Sequence, residues 1–284
     1  MTETPSLLPF LYDDVVRRAL LEDLGRAGDV TTDAIAPPDL AGRAVVVARA
    51  AGRVAGLEPA LHAFRVLDRE CRIDVRLRDG SDAAAGDALA RVVASARALL
   101  AAERTALNLL GRLSGIATVT RAVVKSLEGL KTRVAGTRKT TPGLRTLEKY
   151  AVRVGGGTPH RYGLDDAVLV KDNHVALAGG IAEAVLRVRR SVGHLVKVEV
   201  EVDTLAQLDD ALAIGVDAVL LDNMDLPTLR EAVRRARGRA LTEASGGIRP
   251  ENVREVAETG VDLVSLGWIT HSAPSLDVAL DVEA

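Results

Sequence analysis

The chain has 284 residues, 48% of them hydrophobic and 27% charged, the composition of a folded globular protein and not of a disordered one. A formal net charge of −2 excludes a chain-wide basic surface for nucleic acid or acidic membrane, so any anion site must come from a local cluster. The one cysteine, Cys71, excludes an internal disulfide and a thiolate metal cage. No apolar run reaches the roughly 20 residues that span a bilayer.

In chain order, hydrophobic spacing predicts a helix over 11–24, a turn at 28–32 and a valine-rich strand over 42–50. A helical stretch containing Gly and Pro follows over 54–67, then strands over 73–77 and 89–93. This is an α+β pattern of antiparallel type. Apolar residues then recur every three or four positions from Leu99 to Leu127, the mark of a long helical zone. Ser114 and Gly115 are expected to interrupt it, and the domain boundary is placed there. The opening residues 1–6 lack the basic start and apolar core of a secretion signal, so a cytoplasmic protein is expected.

From residue 133 strands and helices alternate. Strands are expected at 133–136, 167–171, 196–202, 218–221, 240–244 and 263–266, with helices at 143–154, 181–192, 205–214, 226–236 and 250–259. Units repeating roughly every 20 to 25 residues signal a parallel sheet with right-handed crossovers. About six strands favour a barrel or near-barrel over an open sheet, and barrel chemistry gathers at the C-terminal strand ends.

Those ends carry polar residues or glycine throughout. They are Thr137, Arg138 and Lys139; Lys171, Asp172 and Asn173; Glu199 and Glu201; Asp222 and Asn223; Glu243, Ser245, Gly246 and Gly247; Ser265 and Gly267. Arg138, Lys139, His160, Arg161 and Lys171 would repel one another without an anionic ligand. Arginine grips carboxylates bidentately, and lysine supplies a compact charge with an adjustable pKa. Ser245, Gly246 and Gly247 precede a helix expected to begin near Pro250, an arrangement that lets backbone N–H groups and the helix dipole meet a phosphate. Ser265 and Gly267 repeat it. Glu201 and Asp222 suit Mg²⁺; they equally suit electrostatic stabilisation of a carbocation, or simple pairing with nearby cations. Glu199 and Glu201 project to the same side of their strand, so alternation does not choose between them. His174 fits a backbone partner as well as a ligand, and His62, His194 and Cys71 read as structural.

These residues resemble the quinolinate phosphoribosyltransferase family, also called carboxylating nicotinate-nucleotide pyrophosphorylases. The resemblance rests on 136–145 with Lys149, Tyr150, Gly155, Gly156, His160, Arg161 and 171–174. It extends to 22–24, 28–32, 103–108, 114–118, Glu199 with Glu201, 221–223 and 243–247, and so covers nearly the whole chain. It implies an N-terminal α/β sandwich domain over 1–113, joined by 272–284, and an incomplete, seven-stranded α/β barrel over 114–271. The implied reaction transfers phosphoribosyl from phosphoribosyl pyrophosphate to quinolinate with decarboxylation, a step of de novo NAD biosynthesis. Nicotinate mononucleotide, pyrophosphate and CO₂ are the products, and Mg²⁺ is the implied cofactor.

By the same resemblance Lys139, Lys171, Glu201 and Asp222 are catalytic, and Glu201 and Asp222 face the metal. Arg104, Arg138, Lys139, His160, Arg161, Lys171, Ser245, Gly246, Gly247, Ser265, Gly267 and His271 bind substrate. Arg104 would enter the neighbouring subunit's site, which makes a homodimer the smallest assembly. No nucleic acid or membrane partner is implied. Trp268 departs from the pattern, standing where smaller residues are usual; its bulk either reshapes the phosphate pocket or covers the barrel end. Two other readings stand beside this one: a paralogue of the same architecture acting on another acceptor, such as the molybdenum-associated pyrophosphorylase-like proteins, and a non-catalytic phosphate-ligand sensor.

Overall fold

A computed structural model describes residues 7–283 of the chain; residues 1–6 and 284, including the segment read above for a secretion signal, lie outside the described residues. No described helix is long and apolar enough to cross a membrane. The chain folds as two compact units. Of the described residues, one comprises 7–121, 140–156 and 269–283, the other 122–139 and 157–268.

In the first unit a single 3-10 turn at Pro9–Leu11 precedes α1 (Asp13–Leu24) and α2 (Val30–Ile35). A turn is expected at 28–32, but a helix begins there. Asp29 caps it, its Oδ1 accepting from the Thr32 amide at 3.0 Å and its Oδ2 from the Thr32 hydroxyl at 2.5 Å. The next elements are β1 (Ala41–Ala48), β2 (Gly52–Arg53), α3 (Leu57–Leu67), β3 (Arg72–Val75), β4 (Asp82–Ala83) and β5 (Ala88–Ser95). Then comes α4 (Ala96–Ser126), 31 residues without a break.

The expected interruption of α4 at Ser114 and Gly115 does not occur. The Ser114 hydroxyl receives the Ala55 amide at 3.0 Å and donates to the Ala55 carbonyl at 3.1 Å. A Cβ at position 115 would collide with the Pro274 carbonyl. Both residues are small because other chain segments press on the helix there, not because the helix ends.

The remaining elements are β6 (Arg133–Ala135), α5 (Arg145–Val154), β7 (Val168–Val170), α6 (Asp172–Ala178), α7 (Ile181–Ser191), β8 (Val198–Val202), α8 (Leu205–Ile214), β9 (Ala218–Asp222), α9 (Leu226–Ala236), β10 (Leu241–Ser245), α10 (Val253–Ala257), β11 (Leu263–Ser265), α11 (Trp268–His271) and β12 (Val278–Glu283). The first unit's main sheet is antiparallel, in the order β12-β1-β5-β3.

The second unit is built on a parallel sheet in the order β6-β11-β10-β9-β8-β7. Six strands are hydrogen-bonded. On the far side of β6 a single parallel bridge joins Ala135 to Thr158, the Thr158 amide donating to the Val134 carbonyl at 2.6 Å. The seventh position that the resemblance implies is thus one bridge, not a strand, and the barrel stays open between Thr158 and β7. Strand β8 shows how the sequence directs its faces. Val198, Val200 and Val202 are buried, while Glu199 and Glu201 between them point to the opposite side. The valines lie on the helix-covered face, so the carboxylates face the barrel interior.

Candidate active site

The interior of the second unit carries most of the residues singled out by sequence. Lys171 follows the last residue of β7. Its Nζ lies 2.5 Å from Glu201 Oε2, near the end of β8, with the lysine side chain 45% exposed and the glutamate 13%. The Lys171 main-chain N–H donates to His174 Nδ1 at 2.9 Å. His174 thereby caps α6, which settles its two readings in favour of the backbone partner.

Glu199 and Glu201 have separate partners. Glu201 meets Lys171, whereas Glu199 belongs to a second cluster with His160 and Glu243. His160 Nε2 lies 3.6 Å from Glu199 Oε2 and 3.3 Å from Glu243 Oε2, with side-chain exposures of 13%, 14% and 2% in that order. Ligand atoms of the three residues lie within 4.8 Å of one another. Such a convergence would suit a divalent cation. His160 and the neighbouring Arg161 balance the two carboxylates in charge, however, so none is required.

Burial works against the His160 imidazolium, but the two carboxylates outweigh it and raise the group to about 9. The Arg161 main-chain N–H donates to Nδ1 at 2.8 Å and favours the neutral ring. Two formal negative charges at this range outweigh that one dipole. Burial and then Glu243 push the Glu199 carboxyl up, His160 opposing them. Arg161 is made less basic by burial and then by the Arg138 charge, which places the two arginines within electrostatic reach of each other. A cavity of about 190 Å³ opens beside this cluster, lined by His160, Arg161, Glu199, Glu243 and the first residues of the strands, including Val168 and Ala218.

The third group joins the ends of β9 and β10. Asp222 and Ser245 are register partners, and the Asn223 N–H donates to the Ser245 carbonyl at 3.0 Å. Gly246 and Gly247 follow with φ of 89° and 61°, backbone that suits glycine. The helix expected from 250 is only Val253–Ala257, too short to lend much dipole. Donor capacity here rests on the glycine backbone itself. At the end of β11 the Ser265 side chain is buried, its hydroxyl directed to the Ala244 carbonyl at 3.5 Å; Gly267 lies two residues on.

Arg138 is half-buried and Lys139 exposed in the segment after β6, where the Lys139 amide donates to Thr137 Oγ1 at 3.0 Å. Arg104 and His271 belong to the other unit. Arg104 stands on α4 with its side chain 66% exposed, 3.6 Å from Glu103. His271 ends α11, with Nδ1 2.6 Å from Ser272 Oγ. The central motif also holds scaffold residues. Tyr150 donates to Asp79 Oδ2 at 2.6 Å. Glu148, fully buried, accepts from Arg112 Nη2 at 2.9 Å and from the Thr141 hydroxyl at 2.7 Å. Glu148 and the pairing of Glu243 with His160 escaped the sequence reading. A lone glutamate within a helical pattern gives no local sign of a long-range partner.

Comparisons with known proteins cover the same span. The profile of the quinolinate phosphoribosyl transferase N-terminal domain matches residues 29–114, and that of its C-terminal domain matches 116–281. The chain is 46% identical over 277 residues to the nicotinate-nucleotide pyrophosphorylase [carboxylating] of Mycobacterium leprae, covering 95% of this chain and 96% of that one. It is 44% identical over 262 residues to the probable nicotinate-nucleotide pyrophosphorylase [carboxylating] of Bacillus subtilis, covering 92% and 90%. The crystal structure of NadC from Streptococcus pyogenes superimposes with a TM-score of 0.94 at 40% identity, over 99% of this chain and 100% of that one. A chain matched from end to end in sequence and backbone, with its cations, carboxylates and glycines set on one parallel sheet, belongs to the quinolinate phosphoribosyltransferase family.

Proposed function

We propose that this protein transfers phosphoribosyl from phosphoribosyl pyrophosphate to quinolinate with loss of CO₂, giving nicotinate mononucleotide and pyrophosphate, in de novo NAD biosynthesis. The observation that carries the reading is the meeting of Lys171 and Glu201 at neighbouring strand ends, in a chain that belongs to this family. It puts anion-holding and cation-stabilising groups side by side in one barrel interior.

Each substrate asks for one of these groups. Quinolinate is a dianion; Arg138 and Lys171 oppose its charge, and His160 and Arg161, which also balance Glu199 and Glu243, line the same interior. Phosphoribosyl pyrophosphate brings further negative charge, met by Lys139 and by backbone donors at Ser245, Gly246, Gly247 and Gly267. Ser265 acts there through its position in the strand, since its side chain is buried. The family resemblance assigns His271 to phosphate as well.

Breaking the C1–pyrophosphate bond leaves positive charge on the ribose. Fixed carboxylates at Glu201 and Asp222 oppose that charge without reorganising. The pyridine nitrogen then bonds to C1. In the resulting pyridinium the C2–carboxylate bond breaks, its electron pair stays on C2 next to the positive nitrogen, CO₂ leaves, and a proton takes its place. The ring is its own electron sink. A carboxylate held away from bulk water loses less solvation as it becomes CO₂.

Glu201 and Asp222 also fit Mg²⁺. They are hard oxygen donors at adjacent strand ends; Lys171 engages Oε2 of Glu201 and the Asn223 amide Oδ2 of Asp222, which leaves the other oxygen of each for a cation that keeps water and phosphate ligands. Held by Glu201 and Asp222, a bound ion would supply charge neutralisation to the departing pyrophosphate. Arg104, exposed on α4, completes the site of a second copy in a homodimer, and the protein works in the cytoplasm.

The deciding assay mixes protein, Mg²⁺, phosphoribosyl pyrophosphate and quinolinate and follows CO₂ and nicotinate mononucleotide. Binding without product would overturn the enzyme reading in favour of a sensor. Product from nicotinate but not from quinolinate would overturn the decarboxylating one.

A further inference from the structure

Asn223 is the one non-glycine residue with positive φ among those described, at 52°. It is exposed, so no demand of core packing places it there. Asparagine tolerates the left-handed region better than most residues, at some local cost. Three constraints converge on it. Its N–H donates to the Ser245 carbonyl at 3.0 Å, extending the β9–β10 pairing one residue beyond Asp222. Its Nδ2 donates to Asp222 Oδ2 at 2.6 Å. Its Oδ1 lies against Gly246, where a Cβ would overlap that oxygen and stand 2.9 Å from the Asn223 nitrogen. The side chain therefore bridges a carboxylate on one strand end and a glycine turn on the next.

We propose that Asn223 is a positioning residue for the phosphoribosyl half of the site, locking the Asp222 carboxylate and the Gly246 turn into one rigid unit. The inference rests on the roles given above to Asp222 and to the Gly246–Gly247 backbone. An aspartate on a strand end swings about two torsions, and its two oxygens exchange places. The Asn223 amide picks one oxygen, so the other keeps a fixed bearing toward a ribose hydroxyl or cation. Contact of the same side chain with Gly246 keeps the phosphate-facing backbone in register with that carboxylate. Partners of this kind, one step removed from the ligand, are commonly worth about 10-fold to 100-fold in activity or affinity.

The test separates the backbone role from the side-chain role. Asn223→Gly keeps the left-handed backbone and removes the amide, whereas Asn223→Asp keeps the shape and sets a like charge against Asp222. For Asn223→Gly we expect the KM and the calorimetric Kd for phosphoribosyl pyrophosphate to rise about tenfold. The KM for quinolinate should stay within about twofold, and the thermal midpoint should not change. Asn223→Asp should be worse than Asn223→Gly. Phosphoribosyl pyrophosphate constants in Asn223→Gly equal to those of the wild type would overturn the proposal, as would an Asn223→Asp enzyme as good as wild type. Asp222→Asn is measured in parallel. If it binds and turns over normally, the role given to Asp222 falls. If it is defective while Asn223→Gly is normal, Asn223 alone is refuted.

Discussion

Lys171 Nζ and Glu201 Oε2 stand 2.5 Å apart across the ends of neighbouring strands, so the lysine already has a carboxylate partner. On the function proposed above, quinolinate competes for it. Glu201→Gln should therefore tighten quinolinate binding several-fold, because the lysine, 45% exposed, no longer shares its charge. The same change should lower kcat about 100-fold or more, because it removes the carboxylate proposed to oppose ribose charge. Calorimetry with quinolinate alone, set beside steady-state kinetics, checks both signs. Weaker quinolinate binding would mean that the pair does not compete.

His160 should titrate near 9, against an ordinary value of 6.5, because Glu199 and Glu243 favour its charged form over the opposing effect of burial. A group whose folded pKa lies above its unfolded one stabilises the fold fully below about pH 6.5, and that contribution drains away as pH rises through about 9. Denaturation midpoints measured from pH 6 to 10 should fall over this window. In Glu243→Gln the fall should shrink, and the His160 NMR titration should move back toward the ordinary range. A wild-type histidine titrating near 6.5 would show that the Arg161 amide on Nδ1 wins.

Arg112 and Glu148 form a largely buried ion pair in the first unit, with the carboxylate fully enclosed. Arg112→Ala leaves that charge without its main counter-ion and should cost about 3 kcal/mol, near the lower end for such pairs. In a chain of this length that is roughly a 6 °C drop in melting temperature. Calorimetry reads it directly, and the loss should be larger than for removal of an exposed pair such as Arg187 with Glu183.

Arg104 is exposed on α4, and its assigned place in a second copy's site makes complementation the informative test. Arg104→Ala and Lys139→Ala, each inactive alone, should regain about a quarter of wild-type activity when mixed and exchanged, as one intact site forms in each mixed dimer. No recovery despite proven exchange would place each site within one chain.

Much of the barrel was legible because its strands state their faces in residue type. Valines alternate with glutamates in β8, and β9, β10 and β11 end on Asp222, Ser245 and Ser265. The reading failed where the cause is distant. Ser114 and Gly115 look like a helix break, yet they answer to Ala55 and to Pro274. Asp29 reads as a turn until Thr32 shows it to be a cap. α6 went unseen because its start is held by His174, a residue not expected in that role, whose Nδ1 accepts from the Lys171 main-chain N–H. At the site, cations and carboxylates were recognisable singly, but not which paired with which. Glu199 and Glu201 share a face of one strand and differ only in depth. His160 meets Glu243, more than 80 residues away in sequence, across the barrel interior, which no local pattern encodes.

The antiparallel partner of β1 on one side is β12, with Ala48 opposite Val278. During synthesis, then, β1 and β5 are complete long before β12, and any pairing between them leaves one flank of β1 open. Strand β1, with buried Ala44, Val46 and Ala48, offers unpaired backbone until residues 278–283 leave the ribosome. The barrel segments emerge in the meantime. Loss of those few residues would leave β1 as a sticky edge, so damage near the end of the chain should appear first as aggregation during expression, before any defect in catalysis.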